Sequence, residues 1–212
     1  MIPPNDFIPM LEEGSDICRL DLHMLDTVCR DLRRWLDEGR DVVRISVNFS
    51  RKNIFNAGLV GAIAEIIDHY RIPHEYIEIE LTETTTDVEF NDLRRITGGL
   101  HSLGIYTAVD DFGVGFSSLN LLREIPWNVI KIDRSFLPVG SDEENSIRYI
   151  MFKNVVSLAR QLGIECIAEG VESAKQVEIL RENGCDLAQG YYFDKPLPVE
   201  YFEERLERGK YE

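Results

Sequence analysis

The sequence predicts an α/β fold: a closed TIM-type (β/α) barrel of parallel strands, with about six βα units present. Three observations carry this. Strand-like and helix-like segments alternate six times along the 212 residues, and such alternation calls for parallel strands joined by right-handed crossovers. The strand-like runs are largely apolar on both faces, as strands buried between layers are. Polar groups recur at or near the C-terminal end of each successive strand: Asn48, Glu80, Asp110 with Asp111, Lys131 with Asp133, Glu169, and Gln189. An open doubly wound sheet also fits the alternation, but it would string these groups along an edge. A barrel gathers them at one mouth, where the sites of such enzymes sit.

Taken in order, Pro3-Pro4-Asn5-Asp6 starts a short helix from Phe7 to Glu12. Leu25, Val28, Cys29, Leu32, Trp35 and Leu36 recur at helical spacing, with Gly39 as the stop. Val42–Ser50 reads as the first strand. Leu59, Ile63, Ile66, Ile67 and Tyr70 mark a helix, and Ile77–Glu83 the second strand. A helix over Val88–Leu103 leads through Gly104 into Thr107-Ala-Val-Asp110-Asp111, followed by a glycine-rich loop and a helix-like stretch, Leu119–Arg123. Strand Val129–Asp133, a helix over 143–162, strand Ile164–Glu169 and a helix over Ser173–Glu182 come next. Strand Leu187–Phe193 and a helix over Val199–Leu206 complete the pattern, which reads as one domain over 1–212.

Composition narrows the function classes. A formal charge of −15 argues against binding polymeric nucleic acid, whose partners cluster Lys and Arg. A small phosphate ligand stays compatible with it if metal ions mediate the contact. The start lacks the basic and long apolar stretches of a signal peptide, and no segment has the length and apolarity to insert in a membrane. Cys18, Cys29, Cys166 and Cys185 have no metal-type pairing and read as buried thiols of a reducing cytoplasm.

The chemistry follows from residue type. Glu80, Asp110 and Asp111 offer carboxylate oxygens and Asn48 an amide oxygen, a donor set for Mg²⁺ or Mn²⁺ rather than Zn²⁺. This many acids needs one cation and can hold two, which would clamp a phosphodiester and acidify a bridging water. Lys131 would offset charge developing on the attacked phosphate, and Glu169 would take a proton from the water. The plainer readings are a strand-end turn for Asp110-Asp111, an ion pair with Asp133 or Asp111 for Lys131, and a helix N-terminal pair for Glu169 and Glu172. His23, His69, His74 and His101 fall on helices or loops and read as surface or packing residues. Asp111-Phe112-Gly113 resembles a kinase magnesium motif without the accompanying catalytic loop. Gly113-Val114-Gly115 is too short a pattern to argue phosphate binding, and a Schiff-base role for Lys131 sits poorly among four oxygen ligands.

Several motifs together resemble the EAL-domain family, bacterial phosphodiesterases that linearise cyclic di-GMP on a (β/α)8 barrel. They are Asp6-Phe7-Ile8-Pro9, Val47-Asn48-Phe49-Ser50, Glu80-Leu81-Thr82-Glu83, Asp110-Asp111-Phe112-Gly113-Val114-Gly115-Phe116-Ser117-Ser118, Lys131-Ile132-Asp133, Ala168-Glu169-Gly170-Val171-Glu172 and Ala188-Gln189-Gly190-Tyr191, and the likeness runs from Pro3 to Leu206. The resemblance implies that Asn48, Glu80, Asp110 and Asp111 hold Mg²⁺ or Mn²⁺, two ions in a complete site, with Ca²⁺ inhibitory. It implies that Lys131 orders a water and the phosphate, and that Glu169 is general base or metal partner. Gln189, Asp133 and Pro196 would bind substrate, Pro196 closing the guanine pocket. Glu83 and Glu172 would anchor the loop after the double aspartate, which couples the site to a homodimer interface. A fused or partner sensory or GGDEF domain and a cytoplasmic location complete what the family implies.

The sequence departs from the family in one major respect: Glu-Ala-Leu, the motif that supplies a further metal ligand on an early strand, is absent. The chain therefore reads as N-terminally truncated, its barrel incomplete at the N-terminus. It would be a fragment of a longer protein, a barrel closed by dimerisation or strand exchange, or a remnant. The expectation is weak or no hydrolysis by this chain alone. The alternative function is a catalytically impaired module that binds cyclic di-GMP or a partner protein.

Overall fold

A computed structural model describes residues 4–82, 87–113, 118–138 and 146–209. The chain divides into two compact units: residues up to Thr107 with Leu119–Pro126, and Ala108–Ser118 with Trp127 onward.

In the first unit, helices α1 (Pro4–Glu13) and α2 (Asp16–Asp37) precede β1 (Ile45–Phe49), α3 (Leu59–His69), β2 (Ile77–Thr82) and α4 (Asp87–Ser102). The helical spacing seen in the sequence buries one stripe of α2, Leu25, Cys29, Leu32 and Trp35, and α2 packs on α3 and β1. Leu59, Ile63 and Ile67 of α3 and Leu93, Ile96 and Leu100 of α4 are buried likewise. Strands β1 and β2 are parallel, with Ile45 opposite Ile77 and Asn48 opposite Glu80. Every residue of β2 from Ile77 to Leu81 is buried, including Glu78 and Glu80. A buried carboxylate needs a partner. Arg44 supplies it for Glu78 at 2.9 Å, while its guanidinium carbon lies 4.1 Å from the centre of the Tyr106 ring.

Asp21, on α2, is buried and ties that helix to the end of β1. It accepts the Ser50 backbone N–H at 2.7 Å and the Asn53 amide at 2.6 Å. Burial pushes its carboxyl up to about 6, although both donors pull the other way.

Strand β3 (Tyr106–Phe112) leads into the second unit, and α5 (Ser118–Glu124) returns to the first. The second unit continues with β4 (Val129–Ile132), α6 (Ile147–Leu162), β5 (Glu165–Ala168), α7 (Ala174–Asn183), β6 (Leu187–Ala188) and α8 (Val199–Arg208). Its strands pair in parallel, β3 with β4, β4 with β5 and β5 with β6. All four residues of β4 are buried, as a strand between two neighbours and two covering layers requires. Helix α6 stops at Gly163 and α7 at Gly184, both left-handed at φ 70, the cap that glycine adopts without strain.

Several edges differ from the sequence reading, among them the start of the first strand, Ile45 rather than Val42, and the end of the last. The last strand is Leu187–Ala188, not Leu187–Phe193: the chain turns at Gly190, whose carbonyl accepts the Phe193 N–H at 3.0 Å. The apolar run Tyr191–Phe193 imitates a strand, but Tyr192 N–H bonds Val171 O and Phe193 N–H bonds back to Gly190 O as the chain turns. Helix α6 is described from Ile147 and capped by Ser146, whose hydroxyl accepts the Tyr149 N–H; the expected start at 143 lies outside the described residues.

Candidate metal and phosphodiester site

The centre of the second unit's site is a break in the β3–β4 ladder. Val109 faces Ile130 and Phe112 faces Ile132, so Asp110 and Asp111 together stand opposite Lys131 alone. This is a β-bulge. Regular alternation would send adjacent side chains to opposite faces. The extra residue breaks that rule, and Asp111 takes a left-handed backbone at φ 52 to do it. Asp tolerates that region better than most residues. Gly113, next along at φ 102, could not be anything larger: an added Cβ would sit 2.4 Å from the Phe136 ring.

Around the bulge the acids converge. One oxygen each from Asp110, Asp111 and Glu169 lie within 4.8 Å of one another. Lys131, 4 % exposed, stands between them, its Nζ 3.1 Å from Asp110 Oδ1 and 2.7 Å from Glu169 Oε1. The simple pairing of Lys131 with Asp133 or Asp111 is thus replaced by a clasp on Asp110 and Glu169. Register explains it: Lys131 faces the bulge on one side and pairs with Ile167 of β5 on the other, two residues before Glu169. Asp110 Oδ1 is buried and, despite its distance to Lys131, accepts no hydrogen bond. With Asp111 and Glu169 beside it, this carboxylate belongs to an all-oxygen donor set that suits a hard cation. Burial first, then the charges of Asp110 and Asp133, raise the Asp111 carboxyl above its ordinary value, with Lys131 opposing.

Asp133 directly follows β4 and caps the next turn, accepting the Ser135 N–H at 2.9 Å. Burial pushes its carboxyl up, but the Ser135 and Arg134 donors outweigh it and the net shift is downward. Gln189, immediately after β6, donates its side-chain amide to Glu169 Oε1. Glu169 is therefore committed to Lys131 and Gln189 rather than to the start of α7, which Ser173 and Gln176 cap by themselves in a reciprocal box. Glu172 is exposed, its backbone N–H bonded to Gln176 Oε1 at 2.9 Å. Pro196 is exposed in the irregular segment before α8. In the first unit, Asn48 is exposed and its register partner Glu80 is 3 % exposed. Glu83 lies outside the described residues.

Gly170 and Gly190, which the motifs contain but to which the sequence assigns no role, directly follow Glu169 and Gln189 and lie beside the site. Gly170 (φ 66) leaves room for the Arg134 stem, 2.7 Å from where a Cβ would stand. Gly190 lies so close to Val171 that an added Cβ would come within 2.2 Å of its backbone nitrogen. The four cysteines are free thiols, Cys29 and Cys185 buried, Cys18 and Cys166 half-buried. Among the described residues no helix is long and apolar enough to cross a membrane.

Comparison with known proteins shows the family and the fold. The model of the EAL domain matches residues 1–196. Signaling protein YkoW of Bacillus subtilis is 34 % identical over 202 residues, 95 % of this chain and 25 % of the relative. The cyclic di-GMP phosphodiesterase NbdA of Pseudomonas aeruginosa is 32 % identical over 212 residues, 100 % of this chain and 27 % of the relative. The chain thus spans about a quarter of the length of these curated relatives. Among solved structures, the MucR phosphodiesterase in complex with c-di-GMP superposes with a TM-score of 0.84 at 32 % identity, covering 95 % of this chain and 87 % of that one. The fold expected from the sequence, parallel βα units of an incomplete barrel, is that of these structures. The chain belongs to the EAL domain family.

Proposed function

We propose that the chain, acting as one EAL-type domain, is a metal-dependent phosphodiesterase that opens one phosphodiester bond of cyclic di-GMP to give the linear dinucleotide. The observation that supports this most is the bulge, which sets Asp110 and Asp111 together opposite Lys131 and beside Glu169. Relatives and a solved structure at 32 % identity that are named as phosphodiesterases of this ligand support the substrate.

In this reading Asp110, Asp111 and Glu169 hold Mg²⁺ or Mn²⁺, and the family resemblance adds Asn48 and Glu80 as further oxygen donors. Such an ion, when bound, supplies a Lewis acid for the phosphate and a more acidic water. Lys131 orders the water and holds positive charge beside the phosphate oxygens, where charge develops in the transition state. Glu169 accepts the proton released when water attacks phosphorus, and the leaving ribose oxygen takes a proton in turn. Gln189 keeps Glu169 oriented, and Asp133 and Pro196 line the substrate's path. Glu83 and Glu172 anchor the loop after the double aspartate. The reading extends to a cytoplasmic homodimer working with sensory or GGDEF domains.

Chromatographic detection of the linear dinucleotide, with Mg²⁺ or Mn²⁺ and with chelator, tests the activity. Turnover by this chain alone is expected to be weak, to need the metal, and to fall roughly 10²-fold or more in Lys131→Met and Glu169→Gln, the scale of lost acid–base and electrostatic groups. Ligand binding with no turnover under any metal would overturn hydrolysis and leave a binding module.

A further inference from the structure

The backbone that carries Glu169 and Gln189 is stitched together turn to turn. Gln189 N–H bonds Ala168 O at 2.9 Å, Val171 N–H bonds Gln189 O at 3.0 Å, and Tyr192 N–H bonds Val171 O at 2.9 Å. Beyond Gln189 the chain closes on itself at Gly190, whose carbonyl accepts the Phe193 N–H at 3.0 Å and faces the Asp194 N–H at 3.4 Å. Asp194 is the last residue of that turn, and its side chain reaches into α8. Arg205 Nε donates to Asp194 Oδ2 at 2.7 Å and its terminal nitrogen to Oδ1 at 3.1 Å, a two-pronged fork. This fork ties helix α8 to the turn. The Arg205 guanidinium holds the Asp194 carboxyl below its ordinary value, as a standing ion pair requires.

We propose that Asp194 and Arg205 are positioning residues for the site: their fork holds the Gly190–Asp194 turn and so sets the Gln189 amide against Glu169. A planar guanidinium matches both carboxylate oxygens at once, and an ammonium offers only a point charge. Arg205→Lys therefore keeps the charge and releases the geometry. The ligand arm of the test rests on the cyclic di-GMP reading given above; the spectroscopic arm does not.

The experiment follows the side-chain amide proton–nitrogen resonances of Gln189, assigned with Gln189→Ala, together with cyclic di-GMP affinity by calorimetry in Ca²⁺. Arg205→Lys is expected to move the Gln189 pair and weaken binding about tenfold, as small misplacements of a site group do. The charge-exchanged double variant Asp194→Arg with Arg205→Asp is expected to bring both back part of the way. Should Arg205→Lys not fold, Asp194→Asn serves in its place. A folded variant whose Gln189 resonances stay put overturns the proposal, and so does one whose resonances move while affinity does not. If the wild-type chain binds no cyclic di-GMP, the substrate reading falls and the resonances alone decide the positioning.

Discussion

Asp111 is held in a backbone region that most residues avoid, at φ 52, with two further acids close enough to raise its carboxyl after burial has done so. Strain of this kind costs about 1–3 kcal/mol and persists where the surroundings impose it. Asparagine tolerates the same backbone and removes the repulsion. Asp111→Asn is therefore expected to leave the metal-free chain at least as stable while abolishing its response to Mg²⁺. Calorimetric melting with and without the ion checks both halves. Asp21 makes a separate pH prediction. Its folded carboxyl titrates at about 6, above the ordinary unfolded value near 4, so between those values the folded chain binds the extra proton. Stability contributed by Asp21 is then greatest at low pH and declines as pH rises through that window, by roughly 2–3 kcal/mol. Urea midpoints of wild type and Asp21→Asn should converge at pH 4 and separate at pH 7, with the variant the more stable; equal separation at both would exclude the effect.

At the scale of elements, the connections around β5 and β6 carry most of the specific geometry. Helix α7 starts with a reciprocal box, Ser173 bonding the Gln176 N–H and Gln176 reaching back to the Ser173 N–H. Ser173→Ala should cost about 1 kcal/mol in denaturant unfolding, with the slope unchanged. Gly190→Ala should be far harsher. The new methyl would lie 2.2 Å from Val171 N and 2.3 Å from Val171 O, both backbone atoms that cannot swing away. A loss of about 3 kcal/mol or more is expected, together with broadening or loss of the Gln189 amide signals. Helices and strands of this region were legible as periodicity, because apolar spacing of 3.6 or 2 records which face is buried. Strand β6 was overread for the same reason: Tyr191, Tyr192 and Phe193 look strand-like, yet Gly190 turns the chain after Ala188. No pattern of hydrophobicity announces a β-bulge, so the shared position of Asp110 and Asp111 was not readable beyond their being adjacent.

For the whole molecule, a net charge of −15 and a cluster of three carboxylates make cation binding a lever on stability. Free Mg²⁺ at 100 times its Kd should stabilise the folded chain by about 2.7 kcal/mol, since the unfolded chain has no such cluster. Asp110→Asn should lose that increment, and a melting temperature that rises equally in both would place the effect at the surface. The chain's membership of the EAL family follows from motifs spread over residues 1–196, which is why the kind of fold and the residues at its strand ends could be named from the sequence. Alternation, apolar periodicity and residue chemistry are local properties, written along the chain. Which oxygen Lys131 meets, how Gln189 reaches Glu169, and that Asp194 is gripped by Arg205 depend on register and on the turns between elements. Those contacts join residues brought together only by folding, and the free energy that selects them is packing and hydrogen bonding across strands rather than preference along one.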